Sequence, residues 1–260
     1  MSEEALVLRQ DRDGVATLTL NRPQARNALS VALMNALQSL LDAIAGDNSV
    51  RVLVIAGAGR AFCAGHDLKE LRANPGRQSY EAVFGQCAKL MTSIVKLPKP
   101  VIARVHGVAT AAGCQLAASC DLVVAAADAR FATPGVNIGL FCSTPMVALS
   151  RAIGRKQAME MLLTGSPIDA EQARQWGLVN RVVPAAALES ATAALANEIA
   201  AKSPLTVAIG KKAFYAQAEI GLDEAYAYTA EVMTTNMLAR DAEEGIDAFL
   251  EKRKPLWEGR

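Results

Sequence analysis

The run from residue 100 to residue 121, PVIARVHGVATAAGCQLAASCD, constrains the fold more than any other part of this chain. It opens on Val101-Ile102-Ala103, an apolar, β-branched stretch of the kind that forms a buried strand. It crosses small residues from Gly107 to Gly113 and ends in a helix-compatible segment, residues 114–119. A strand, a tight turn and a helix start leave unpaired backbone N–H groups at one point. With the helix dipole behind them, such donors suit an oxygen that carries or develops negative charge. Alanine and glycine let a ligand approach the backbone closely. The same residues fit a buried crossover in which small side chains serve packing. The stretch alone does not choose between the two.

The rest of the chain alternates strand and helix. Residues 5–10 and 15–20 read as strands joined by Asp11-Arg12-Asp13-Gly14, a hairpin-turn composition. Ser30 is a good N-cap for a helix to about Ile44, with Leu33, Leu37, Leu40, Leu41 and Ile44 on one face. Residues 50–56 form an apolar strand, followed by a second small-residue turn at 61–68 and a short helix near 67–71. Residues 80–97 are helical in pattern and close on Pro98 and Pro100. Strands are expected at 122–126, 130–132 and 182–183. Thr144 before Pro145 starts a helix to about Ile153, and helices follow at 156–163 and 170–176, with Gly177 as the C′ glycine. From 186 to about 253 the pattern is almost wholly helical. This alternation predicts an α/β fold of parallel βαβ units with right-handed crossovers.

Composition narrows the function. A formal charge of +1 gives no general electrostatic case for binding nucleic acid or a membrane surface. No apolar run approaches the length of a membrane span. The acidic start, MSEEALVLRQ, lacks a signal core and the Arg- and Ser-rich character of a transit peptide, so a cytoplasmic protein is expected. Cys63, Cys87, Cys114, Cys120 and Cys142 show no metal-type spacing and read as reduced core thiols. With only His66 and His106, no metal site is expected.

Several ordered motifs carry a resemblance. They are Asn21-Arg22-Pro23 with Asn27-Ala28-Leu29; the segment 62–68, FCAGHDL; and the opening stretch ending in Cys120-Asp121. They continue with Arg130-Phe131-Ala132-Thr133-Pro134 and Gly139, Leu163-Thr164-Gly165, Gly177-Leu178-Val179, and the tail from Glu244-Gly245 to Arg253. In order and spacing they resemble the enoyl-CoA hydratase/isomerase (crotonase) superfamily over nearly the whole chain. Residues 131–145 look most like the branch called enoyl-CoA hydratase domain-containing protein 3 and its bacterial relatives.

The resemblance implies a crotonase-like ββα superhelix with a C-terminal helical trimerisation region. The expected division is residues 1–200 as the core with the acyl-CoA site and 201–260 as helices for oligomerisation and CoA covering. It implies a homotrimer or a dimer of trimers. It implies an acyl-CoA thioester as ligand, with no cofactor besides the CoA that the substrate carries. The backbone N–H groups of His66 and Ala112 would hold the thioester oxygen, and a thioester enolate places its charge there. Ala28, Ala64, Asp67 and Leu68 would pass along the CoA, and Phe249 and Lys252 would meet its nucleotide end. Four plainer readings stand beside these. The His66 imidazole is an exposed turn residue without a catalytic part, Asp67 caps the short helix, His106 is structural, and Lys252 is a solvated helix residue.

The chain departs from the pattern where the chemistry lies. Hydratases of this family use two glutamates; those positions hold Gln115 and Gly135 here. An amide cannot exchange a proton near neutral pH, and glycine supplies no side chain. General acid–base catalysis typically contributes about 10² to 10⁴-fold, so efficient enoyl-CoA hydration is not expected. Dienoyl isomerases of the family place an aspartate near the position of Ser143. Ser143 and Thr144 read as capping residues, and Cys142 has no visible activating partner. Two functions remain: a protein that binds an acyl-CoA thioester and stabilises its enolate, and a non-catalytic acyl-CoA-binding or interaction protein of the same fold.

Overall fold

The computed structural model describes residues 5–260. Strands β1 (Val7–Arg12) and β2 (Val15–Leu20) pair antiparallel through a two-residue turn in which Asp13 and Gly14 both have positive φ. The first strand therefore lies two residues later than the composition of the turn predicts. Helix α1 (Val31–Gly46) starts where Ser30 Oγ accepts from the Leu33 amide at 3.2 Å, and it buries Leu33, Leu37, Leu41 and Ile44. Strand β3 (Val52–Gly57) leads to α2 (Leu68–Ala73) and α3 (Arg77–Lys96). The opening stretch of the sequence becomes β4 (Val101–Val105), β5 (Val108–Thr110) and α4 (Ala112–Ser119). The small-residue segment thus contains a short strand that its alanines and glycines conceal. Strands β6 (Leu122–Ala126) and β7 (Arg130–Ala132) precede α5 (Pro145–Ala152) and α6 (Arg155–Thr164). Pro145 opens α5 as expected, but Thr144 is helical in backbone and its side chain caps nothing. Then come β8 (Ile168–Asp169), α7 (Ala170–Trp176), β9 (Arg181–Val183) and α8 (Leu188–Ala200). The chain ends in α9 (Pro204–Gln217), α10 (Leu222–Met237) and α11 (Arg240–Leu250).

Two sheets result. The larger runs β1-β2-β3-β4-β6-β9, and only the β1–β2 pair is antiparallel. The smaller runs β5-β7-β8. Strand β3 explains why its sequence is apolar throughout. Leu53 and Ile55 enter the main core with Leu18, Leu33, Phe62 and Phe131, whereas Val52 and Val54 face the second core under α8.

Helix α9 folds back onto the β4–α4 unit through one half-buried charge. Asp121, at the end of α4, accepts from the Val101 amide (2.7 Å), Lys211 Nζ (2.7 Å) and the Tyr215 hydroxyl (2.8 Å). Lys211 also donates to the carbonyls of Ile94 (3.0 Å) and Lys99 (2.9 Å). Burial lowers the proton affinity of Lys211, and Asp121 opposes that shift. Removing one member of such a pair leaves the other largely desolvated and uncompensated. Lys211→Ala should therefore cost about 3 kcal/mol in urea denaturation. Arg77→Ala, which breaks an exposed i,i+4 pair with Glu81, should stay within about 0.5 kcal/mol.

Candidate functional site

Two backbone turns are zipped together at the C-terminal ends of β3 and β4. Phe62 N donates to His106 O (3.1 Å), Cys63 N to Val108 O (3.1 Å) and Thr110 N to Cys63 O (3.0 Å). The Thr110 hydroxyl adds a bond to Ala64 O at 3.1 Å. A Cβ on Gly113 would run into the Cys63 carbonyl oxygen, so only glycine permits this approach. Ala111 sits at φ 50°, ψ −118°, a sparsely populated conformation for a residue with a side chain. Its amide is held by Ala132 O at 2.9 Å, which ties the turn to β7.

In this arrangement neither the His66 amide nor the Ala112 amide has an acceptor among the described residues. Leu29 N bonds Gly65 O (2.7 Å) and Asp67 N bonds Leu29 O (3.1 Å), so the His66 amide between them stays outside the ladder. The Ala112 amide opens α4 and has no backbone partner. The two turns touch: the Cβ position of Gly65 lies 3.3 Å from Ala112 N. The structure thus brings together the two segments that the sequence singled out.

The His66 side chain differs from its expected exposed state. It is half-buried, its ring packs edge-on against Phe84 at 5.3 Å, and its Nε2 is buried without a hydrogen-bond partner. Burial pushes its pKa down to about 4, so the ring is neutral at pH 7. His106 is structural as expected, with Nε2 2.9 Å from Gly59 O. Asp67 accepts from the Lys69 and Glu70 amides and caps α2. It also receives Arg22 at 3.0 Å, and Arg22 donates to Ala28 O at 2.7 Å. Arg22 therefore fastens the Ala28 loop to the 64–68 turn, a link that the sequence marks only by the Asn21-Arg22-Pro23 motif. Leu68 is exposed on this turn and Ala64 half-buried. Phe249 (81% exposed) and Lys252 stand in solvent at the end of α11. No hydrogen bond or ring contact links either of them to the two turns.

Both glutamate positions are met by sulfur. Gln115 is buried, and the Cys87 thiol donates to its Oε1 at 3.9 Å. Gly135 is also buried; its amide donates to Cys142 Sγ at 3.3 Å. A Cβ on Gly135 would lie 2.5 Å from Leu140 O and 2.9 Å from Cys142 Sγ. The space of a side chain at 135 is therefore filled by Cys142 and the Leu140 carbonyl. Burial pushes the Cys87 thiol up to about 12 and raises that of Cys142, so both are protonated at neutral pH. All five cysteines are buried and free. From Gln115 a cavity of about 1000 Å3 extends between α3, α4, α5 and α9; His66, Ala112 and Gly135 do not line it.

The sequence pattern of the enoyl-CoA hydratase/isomerase family matches residues 10–260. The chain belongs to this family. A Xenopus laevis relative named enoyl-CoA hydratase domain-containing protein 3, mitochondrial, is 50% identical over 97% of this chain and 86% of its own length. The human protein of that name has a crystal structure that is 48% identical to this chain, with a TM-score of 0.94 over 97% of this chain and 100% of the other. An enoyl-CoA hydratase structure from Mycobacterium smegmatis is 56% identical, with a TM-score of 0.96 over 98% and 99%. These neighbours establish the crotonase fold for this family member, with its C-terminal helices. They also correct one expectation. The Xenopus and human relatives are named as mitochondrial, which overturns the cytoplasmic location expected from the first ten residues. An address is read by receptors and is no part of the folded core, so the composition of one end is a weak guide to compartment.

Two outcomes test the local geometry. Neutral His66 stabilises the fold fully above its unfolded pKa of about 6.5, and that contribution is lost as pH falls toward 4. Urea titrations of His66→Gln should show an acid limb flatter by about 2 kcal/mol between pH 7 and 4, allowing for partial exposure. Gly135→Ala should lower stability by about 1 to 3 kcal/mol, because a carbonyl and a buried thiol must both move.

Proposed function

We propose that this protein binds an acyl-CoA thioester with its carbonyl oxygen between the His66 and Ala112 amides, and that it stabilises the enolate form of that thioester. The observation that carries the reading is the pair of unpartnered amides on two touching, backbone-locked turns. Such donors cost no reorganisation when charge develops, and one can be worth about 3 kcal/mol in a transition state. Ala28, Ala64, Asp67 and Leu68 would border the CoA. Phe249 and Lys252 would reach its nucleotide end, from this chain or from a neighbouring copy.

The α-proton is the weak point. Gln115 cannot accept it, Gly135 has no side chain, and the thiols beside both are held protonated by burial. This favours slow hydration, or a non-catalytic acyl-CoA binder of the same fold. The C-terminal helices expose Tyr226, Met233, Met237, Leu238, Phe249 and Leu250. Such a surface suits burial against further copies of the chain, as a trimer or a dimer of trimers.

Crotonyl-CoA should bind in calorimetry and be hydrated far below the roughly 10 to 10³ turnovers per second of efficient enzymes. Turnover in that range would refute the reading of Gln115 and Gly135, and no binding by any CoA ester would refute the site. Mass spectrometry of bound esters over hours separates slow catalysis from binding alone. Sedimentation should give a trimer or hexamer; a monomer would count against the proposed assembly.

A further inference from the structure

The cavity beside Gln115 has a direction. Gln115 meets Cys87, so the Gln115 end lies at the Cys87–Ala88 level of α3. From there the α3 wall runs Ala88, Met91, Thr92, Val95, Lys96, one face of the helix over eight residues, or about 12 Å. Lys211 on α9 marks the opposite end, because its Nζ bonds the carbonyls of Ile94 and Lys99. Lys212 follows it on the next side of α9 and also lines the cavity.

Charge on this lining is unequal. Six charged side chains border the cavity: Lys96, Asp121, Arg151, Lys211, Lys212 and Glu219. Lys211 is paired with Asp121, and Arg151 with Glu219 at 3.0 Å. Lys96 and Lys212 have no hydrogen-bond or ion-pair acceptor among the described residues. Ser119 and Asn180, also on the lining, spend their polar groups inside the protein, on Gln115 O and the Val123 amide. Two exposed ammonium groups, Lys96 and Lys212, thus stand free on this lining. A saturated chain ending in a methyl group would leave them unused, and a terminal anion would meet both.

We infer that this cavity takes an apolar chain ending in a carboxylate, with the carboxylate at Lys96 and Lys212 and the other end at Gln115. Carbon–carbon bonds of about 1.5 Å advance an extended chain by about 1.25 Å per carbon, so 12 Å corresponds to about ten carbons. In its leading form the inference rests on the acyl-CoA reading. Ala112 opens the helix that carries Gln115, so an ω-carboxyacyl thioester held at Ala112 would send its chain past Gln115 toward the lysines. A free fatty acid offers the same chemistry without the thioester.

Calorimetry on the intact protein distinguishes these cases with four probes: decanoyl-CoA, the ω-carboxy analogue of decanoyl-CoA, decanoate and decanedioate. The ω-carboxy thioester should bind about fivefold to tenfold tighter than decanoyl-CoA, the worth of two exposed lysine contacts. Lys96→Gln with Lys212→Gln should erase that preference and leave decanoyl-CoA binding unchanged. Lys156→Gln with Lys202→Gln, the same charge change off the lining, should preserve it. Equal affinity for the two thioesters would overturn the inference while the acyl-CoA reading stands. If neither thioester binds but the free acids do, and the Lys96 and Lys212 changes remove that binding, the carboxylate site stands and the thioester reading falls. Binding by none of the four would overturn both.

Discussion

A carbonyl oxygen and a Cβ cannot share one position, and the site depends on that exclusion at the seam between two turns. The carbonyl of Cys63 occupies the place a side chain at 113 would need. Because residue 113 is glycine, residues 62–65 can hydrogen-bond to 106–110 as if both were strands. The His66 amide and the Ala112 amide are then left over on adjoining turns. Beside them the Asp67 and Ala111 amides are engaged with Leu29 O and Ala132 O, so the direction of the two free amides is set by the backbone and not by side-chain rotamers. Ala111, strained and pinned to β7, fixes the entry into α4.

The surrounding elements hold this seam in place at several removes. Arg22 ties the Ala28 loop to Asp67, and Asn27, fully buried with φ 54°, donates from Nδ2 to Ala58 O (2.9 Å) and Ala61 O (2.8 Å). On the far side of α4, Asp121 gathers the β4 amide, Lys211 and Tyr215, so the C-terminal helix α9 becomes a wall of the cavity that starts at Gln115. Helix α4 therefore serves two ends. Its N-terminus presents a donor, and its C-terminus receives the half-buried ion pair that positions α9. The site keeps a preorganised backbone and lacks titratable carboxylates at 115 and 135. The thiols that stand there instead are held neutral by burial.

Local chemistry was legible wherever it acts over a few residues. Ser30 and Asp67 cap the helices that their positions predict, Gly177 takes the left-handed C-cap conformation, and β6, β7 and α7 lie at their expected residues. The apolar run of β3 correctly indicated a strand, and the fold covers it on both faces. The motifs named the two turns and the positions of Gln115 and Gly135. Strand β5 was not legible, because three residues among alanines and glycines carry no period; its pairing with β7 makes it a strand. Thr144 looked like a cap, yet its backbone is already helical and its hydroxyl meets no amide.

By itself the sequence determined which backbone segments could approach closely, where the helices start and stop, and that no carboxylate stands at positions 115 and 135. Tertiary structure alone decided what surrounds those positions. Cys87 reaches Gln115 across 28 residues, and Lys211 reaches Asp121 across 90. It also decided that the His66 ring is half-buried and neutral, and that Lys96 and Lys212 share one cavity. The division has one physical reason. Capping, turn conformation and periodicity depend on near neighbours in the chain, whereas desolvation and charge pairing depend on whatever the fold packs alongside.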